Sequence, residues 1–161
     1  MNEARSQDRR GTWAAILSFA DSIALETADT VLLAGRIAMG IIFFQSGAAK
    51  LWALDAFASS LAGRGVWLPG FWGPVGAICE FVGGAAIILG LGTRYAAILI
   101  VIFVFIATAI AHRYWEFTEP AARRLQEGQF YKNLAILGGA LFLSVCAAGR
   151  FSLDAILATK R

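Results

Sequence analysis

Two ionisable residues stand where long apolar runs would normally exclude them. Arg36 falls inside VLLAGRIAMGIIFF and Glu80 inside GAICEFVGGAAIIL. A charge within such a run is costly, so it usually faces the interior of a bundle and finds a partner there. At 1.5 Å rise per residue, Arg36 lies about 9 Å into its run and Glu80 about 16 Å from the same membrane face. The offset of about 7 Å is within reach of an extended arginine, so the spacing predicts an Arg36–Glu80 ion pair or a shared buried polar site. Such a pair can fix helix register, and a buried carboxylate can also carry protons. Gly76, Ala77, Gly83 and Gly84 lie within a turn of Glu80. Small residues let helices approach closely in lipid, or leave room for a flat ligand.

A second polar group is expected at the ends of the apolar runs. It comprises Gln45, Ser46, Lys50, His112, Tyr114, Trp115, Lys132 and Asn133. His112 is the single histidine of the chain. Its ordinary pKa near neutrality suits proton transfer, so Glu80 and His112 are the candidates for catalytic work. One histidine makes no multi-histidine metal site. Cys79 and Cys146 lie in apolar blocks without CxxC or zinc spacing, and thiolates are disfavoured there. No metal site is expected.

These residues have to be placed by membrane helices. The 161 residues are 58% hydrophobic and 16% charged, against roughly 25% charged in soluble domains. Four blocks reach the roughly 20 residues a spanning helix needs: 30–51, 73–91, 95–111 and 133–149. The third, YAAILIVIFVFIATAIA, has no polar face at helical period. Gly92-Thr93-Arg94 forces a hairpin between the second and third. In the two longer connections, Asp55 and Gly63 or Gly65 bound one short helix, and Thr118 or Glu119, Pro120 and Gly128 bound another. The fold class is all-α, an integral membrane four-helix bundle with short interfacial helices. Residues 1–28 read as an amphipathic surface segment, 29–151 as the bundle and 152–161 as a tail, with Ser152 capping a last short helix. The first strong apolar block starts only near Thr30 and lacks a small-residue cleavage site, which speaks against a cleaved signal. The net charge of +3 is small and dispersed, so nucleic acid is not an expected partner. Counting lysines and arginines on each side gives a slight bias that places both termini in the cytoplasm.

Across these blocks the chain resembles the DoxX family of small four-span membrane proteins. The resemblance rests on GRIAMGIIFFQSGAAKL in span one, ICEFVGGAAIILGLGTR in span two, HRYWEF after span three, and YKNLAILGGALFL running to GRFSLD. It covers about Leu32 to Ala155. Many members carry an aromatic–His–Gly stretch at the end of span one, where this chain has Gln45-Ser46-Gly47. No role for that histidine carries over. The resemblance implies a bacterial-type inner membrane and a quinone-linked redox subunit in redox or metal and thiol stress handling, often beside a partner protein. No motif encodes a cofactor, so a quinone would be bound without a signature. The residues leave two other classes open: a non-enzymatic scaffold or assembly partner that could also self-associate, and small-molecule or lipid binding or transport.

Overall fold

The computed structural model describes residues 2–146 and 148–159, with side chains described from Leu17 onward. Its elements are α1 (Asn2–Trp52), α2 (Leu54–Gly63), α3 (Pro69–Leu89), α4 (Thr93–Ala111), a 3-10 turn at Tyr114–Glu116, α5 (Pro120–Cys146) and α6 (Leu153–Thr159). Among the described residues there is no strand, and the helices long and apolar enough to cross a membrane are four: Leu17–Trp52, Pro69–Leu89, Thr93–Glu116 and Pro120–Cys146. The four expected spans and the all-α bundle are borne out.

Two boundaries differ from expectation. The 1–28 segment is not a separate helix; it runs straight into the first span as α1. At about 1.5 Å per residue α1 is about 77 Å long, more than twice the hydrocarbon thickness. Trp13 and Ile16 of the expected apolar face lie outside the described side chains. Likewise α5 starts at Pro120 and passes through Gly128 without a break. A lone glycine costs a helix interior only about 1 kcal/mol, less than abandoning its hydrogen bonds. Glu119 begins α5 by accepting the Ala121 and Ala122 N–H groups at 2.9 and 2.5 Å, and those two bonds hold its carboxyl below the usual range. In the other connection Asp55 lies in the first turn of α2 and makes no cap; Ala53 precedes the helix.

The core joins all four spans through Phe43, Ile87, Ile100, Val104, Ala140 and Leu143. Its tightest seam is α1 against α3. A Cβ on Gly47 would stand 2.4 Å from the Phe81 nitrogen, one on Gly84 2.5 Å from the Phe44 nitrogen, and one on Gly40 2.8 Å from the Gly84 carbonyl oxygen. The two backbones therefore touch where only glycine fits. Gly138 on α5 faces open space. Around the end of the bundle that bears the long connections, Trp52, Trp67, Trp72 and Trp115 are all exposed, as expected of an interfacial belt.

The opposite end is tied by the C-terminal segment. Gly90 and Gly92 take positive φ to make the α3–α4 hairpin. Asp154 of α6 then accepts the Gly92 and Thr93 N–H groups at 2.7 and 2.9 Å, capping α4 from a distant part of the chain. Arg36 donates to the Phe151 carbonyl, and Ser152 caps α6 through the Ala155 N–H at 3.2 Å. Asp29 of α1 accepts from the Arg150 N–H at 2.8 Å and pairs with its side chain at 3.4 Å. Burial pushes the Asp154 carboxyl up, but the Thr93 and Gly92 N–H groups and the Arg36 charge outweigh it and leave it below its ordinary 3.8.

Two experiments check this packing. Gly84→Ala is expected to lose about 1–3 kcal/mol in detergent unfolding because the α1 backbone cannot yield, whereas Gly138→Ala is expected to be neutral or slightly stabilising. Equal effects at both positions would contradict the seam. Because the folded pKa of Asp154 is depressed, its stabilisation is complete above 3.8 and is lost as pH falls through the lower native value. Asp154→Asn is therefore expected to cost about 1 kcal/mol at neutral pH and to flatten that acid limb in a pH series of unfolding curves.

Candidate functional site

The α1–α3 seam decides which polar residues meet. Gly40 lies beside Ile88, Phe44 beside Gly84, and Gly47 beside Phe81. Extending that antiparallel register places Ser46 and Lys50, one turn apart on α1, across from Glu80. Lys50 Nζ donates to Glu80 Oε2 at 2.5 Å and to Ser46 Oγ at 2.8 Å, and Ser46 Oγ donates to the same carboxylate oxygen at 3.0 Å. Phe57 of α2 closes over the ammonium, with its ring centroid 5.2 Å from Nζ. Glu80 is 5% exposed.

The expected Arg36–Glu80 pair does not form. In this register Glu80 stands opposite residue 48, twelve positions beyond Arg36, which is about 18 Å along the axis. The shorter expected offset came from aligning the ends of the apolar runs, and the helices are set by glycine contacts instead. Both residues are buried and polar as expected, but at opposite ends of the bundle. Arg36 serves the C-terminal lock, and Lys50 is the partner of Glu80.

The remaining polar residues gather above this pair. His112 follows α4, and its Nδ1 meets Gln126 Oε1 of α5 at 2.8 Å. That contact leaves Nε2 free to face other groups. Asn133 donates to Thr108 Oγ1 at 2.8 Å, and Thr108 in turn donates to the Val104 carbonyl at 2.6 Å. Lys50, Glu80, His112, Lys132 and Asn133 line one cavity of about 770 Å³, with Ser46 and Cys79 on its wall. The rest of the lining is mainly apolar, including Phe43, Phe57, Phe103 and Ile106. Arg64 of the α2 end reaches over to the Ala111 carbonyl at 3.0 Å and ties the roof to the end of α4.

Three members of the expected cluster, Gln45, Tyr114 and Trp115, stay out of the cavity. Gln45 is exposed and points about a quarter-turn of α1 away from Ser46. Trp115 is 56% exposed and packs edge-on against Tyr114 and Phe130, at 5.2 and 6.0 Å between centroids. Gln126 is a site residue that the sequence reading missed. It precedes Asn133 by seven positions and so shares its helix face, a signal hidden by the expected break at Gly128. Among the described residues no group of three His, Cys, Asp or Glu could hold a metal. The cavity can therefore hold an apolar body and offer hydrogen-bond donors, a carboxylate and an imidazole to one polar end.

Comparison with known proteins agrees with this architecture. The sequence model of the DoxX family matches residues 31–113, which include the α1–α3 seam, the Lys50–Glu80 pair and His112. The chain is 31% identical over 124 residues to the inner membrane protein YphA of Escherichia coli, covering 77% of this chain and 88% of the relative. It is 32% identical over 132 residues to the inner membrane protein YqjF of the same organism, covering 82% and 95%. No solved structure matches significantly. The chain belongs to the DoxX family of inner membrane proteins.

Proposed function

We propose that this protein is a quinone-linked redox subunit of the inner membrane, and that the quinone sits in the cavity above Lys50 and Glu80. The observation that carries the reading is the cavity. Its volume of about 770 Å³ lies within the roughly 300–1,000 Å³ typical of small-molecule sites, and its walls are mostly apolar with a few convergent polar groups.

The lining fits the chemistry of a quinone head, whose two carbonyl oxygens can only accept hydrogen bonds. Lys50 has three N–H donors, and Glu80 and Ser46 occupy two of them. One remains for a ligand. The Asn133 amide has a second N–H beyond the one given to Thr108, and His112, whose Nδ1–H is given to Gln126 Oε1, presents Nε2 as a donor when the ring carries both protons. When bound, a quinone accepts two electrons and two protons. The chain supplies the dry pocket, the orienting donors and access to water for protons, while a partner protein supplies the electrons. With both termini cytoplasmic, the polar end of the cavity faces the outer side of the inner membrane.

A short-tail benzoquinone added to the detergent-solubilised protein tests this. At a hundred times its Kd it is expected to raise unfolding stability by about 2.7 kcal/mol. Gly76→Leu is expected to abolish that shift, because a side chain there enters the cavity between Phe103 and Phe57. Its Cβ would make only ordinary contacts with them, at 3.6 and 3.7 Å, so the fold tolerates it. An absent shift in the wild type, or an equal shift in Gly76→Leu, would contradict the proposal.

A further inference from the structure

The quinone reading raises a question of proton supply. Two-electron reduction in a mainly apolar cavity places negative charge on two oxygens, and the titratable groups of the wall are the proton donors nearest to them. The titratable groups lining the cavity are Lys50 on α1, Arg64 at the end of α2, Cys79 and Glu80 on α3, His112 after α4 and Lys132 on α5.

Most of them are unsuited. Arg64 is exposed, is engaged with the Ala111 carbonyl, and as an arginine does not release its proton. Lys132 is exposed, with its Nζ on the Gln129 side chain. Cys79 would leave a thiolate among apolar neighbours, which is disfavoured. Glu80 accepts from Lys50 and Ser46 on one oxygen, which makes it the group that holds the ammonium rather than the donor. Lys50 and His112 remain.

We infer, on the basis of the quinone reading, that Lys50 donates a proton to one oxygen of the bound head and that Glu80 and Ser46 are its positioning residues. Lys50 is prepared for this in three ways. Two of its N–H groups are fixed, which aims the third. The adjacent carboxylate holds the ammonium in place, and a fixed cation aimed at developing charge needs no reorganisation. It is a lysine, which can deprotonate in a buried setting where arginine cannot.

The step balances as follows. Two electrons come from a reduced flavin on the partner protein, the two-electron donor that the redox reading assumes. One ammonium N–H bond breaks and one O–H bond forms at the nearer oxygen. His112, as imidazolium, gives the second proton from Nε2 to the other oxygen while Nδ1 stays on Gln126. Neutral Lys50 then stands beside an unpaired Glu80 carboxylate, which favours recapture of a proton from water at the cavity mouth. This moves Glu80 from proton carrier to the residue that holds and recharges the carrier.

Lys50→Arg separates proton transfer from charge, because it keeps the ion pair and cannot deprotonate. Wild type and Lys50→Arg in nanodiscs would be loaded with a short-tail benzoquinone and reduced with excess dithionite across pH 6 to 9. Binding is expected to survive in Lys50→Arg, while reduction of the bound quinone slows on the order of a hundredfold, the usual scale of a lost general acid. A second measurement needs no turnover. Acylation of Lys50 by an amine-reactive reagent, followed by peptide mass spectrometry, is expected to be suppressed by the quinone in wild type and accelerated in Glu80→Gln. Reduction of bound quinone by Lys50→Arg at the wild-type rate, or acylation of Lys50 indifferent to quinone, overturns the proton assignment and leaves the binding reading standing. A wild-type protein that binds no quinone overturns both.

Discussion

The contact between the α1 and α3 backbones governs the rest of the molecule. Gly40, Gly47 and Gly84 remove the side chains that would hold the two helices at ordinary spacing, and the seam closes until backbone meets backbone. That closeness sets a single register. The register brings Lys50 and Ser46 to Glu80 and sends Arg36 to the far end. A slip of one turn would leave a carboxylate buried in lipid-facing helices without its cation, a far more costly arrangement than a mispacked methyl group. Steric fit and charge pairing thus select the same alignment.

The bundle divides its buried charges between two tasks. At the end near the termini, Arg36, Asp154, Asp29 and Arg150 bind the C-terminal segment to α1 and to the α3–α4 hairpin, and their hydrogen bonds are with backbone groups or with each other. This end is closed. At the other end, Lys50, Glu80, His112 and Asn133 spend only part of their hydrogen-bonding capacity on the protein and turn the rest toward a cavity. Unspent valence beside an apolar wall suits an amphiphilic ligand. The roof over it, α2, is short and contributes Phe57 and Arg64, so both the ammonium and the end of α4 are anchored to the connection that covers them.

Much of this was legible in the sequence. The apolar blocks give the four spans, because a helix apolar all round like α4 belongs in a membrane or in the core of a much larger protein. Glu80 and the group of Lys50, His112, Lys132 and Asn133 stand out as polar residues at or within span ends, and the structure does gather them. The DoxX resemblance covers about Leu32 to Ala155, and the family comparison matches residues 31–113 of the chain. What the sequence did not show is axial register. Run ends are blurred by several residues, so aligning them paired Glu80 with Arg36, and only the glycine contacts put Lys50 there instead. Helix continuity was hidden in the same way. Gly128 looks like a stop signal, yet α5 passes through it, and only a continuous α5 puts Gln126 on the face of Asn133 and against His112.

The central claim is that the glycine seam couples Lys50 to Glu80 as one unit facing the cavity. A double-mutant cycle measures this directly, using Lys50→Met, Glu80→Gln and the double variant in equilibrium unfolding. The account expects Lys50→Met alone to be the most damaging, since it strands a buried carboxylate, and expects the double variant to recover much of that loss. The coupling energy should be about 1–3 kcal/mol. Additive effects, with the double variant as unstable as the sum of the singles, would contradict it.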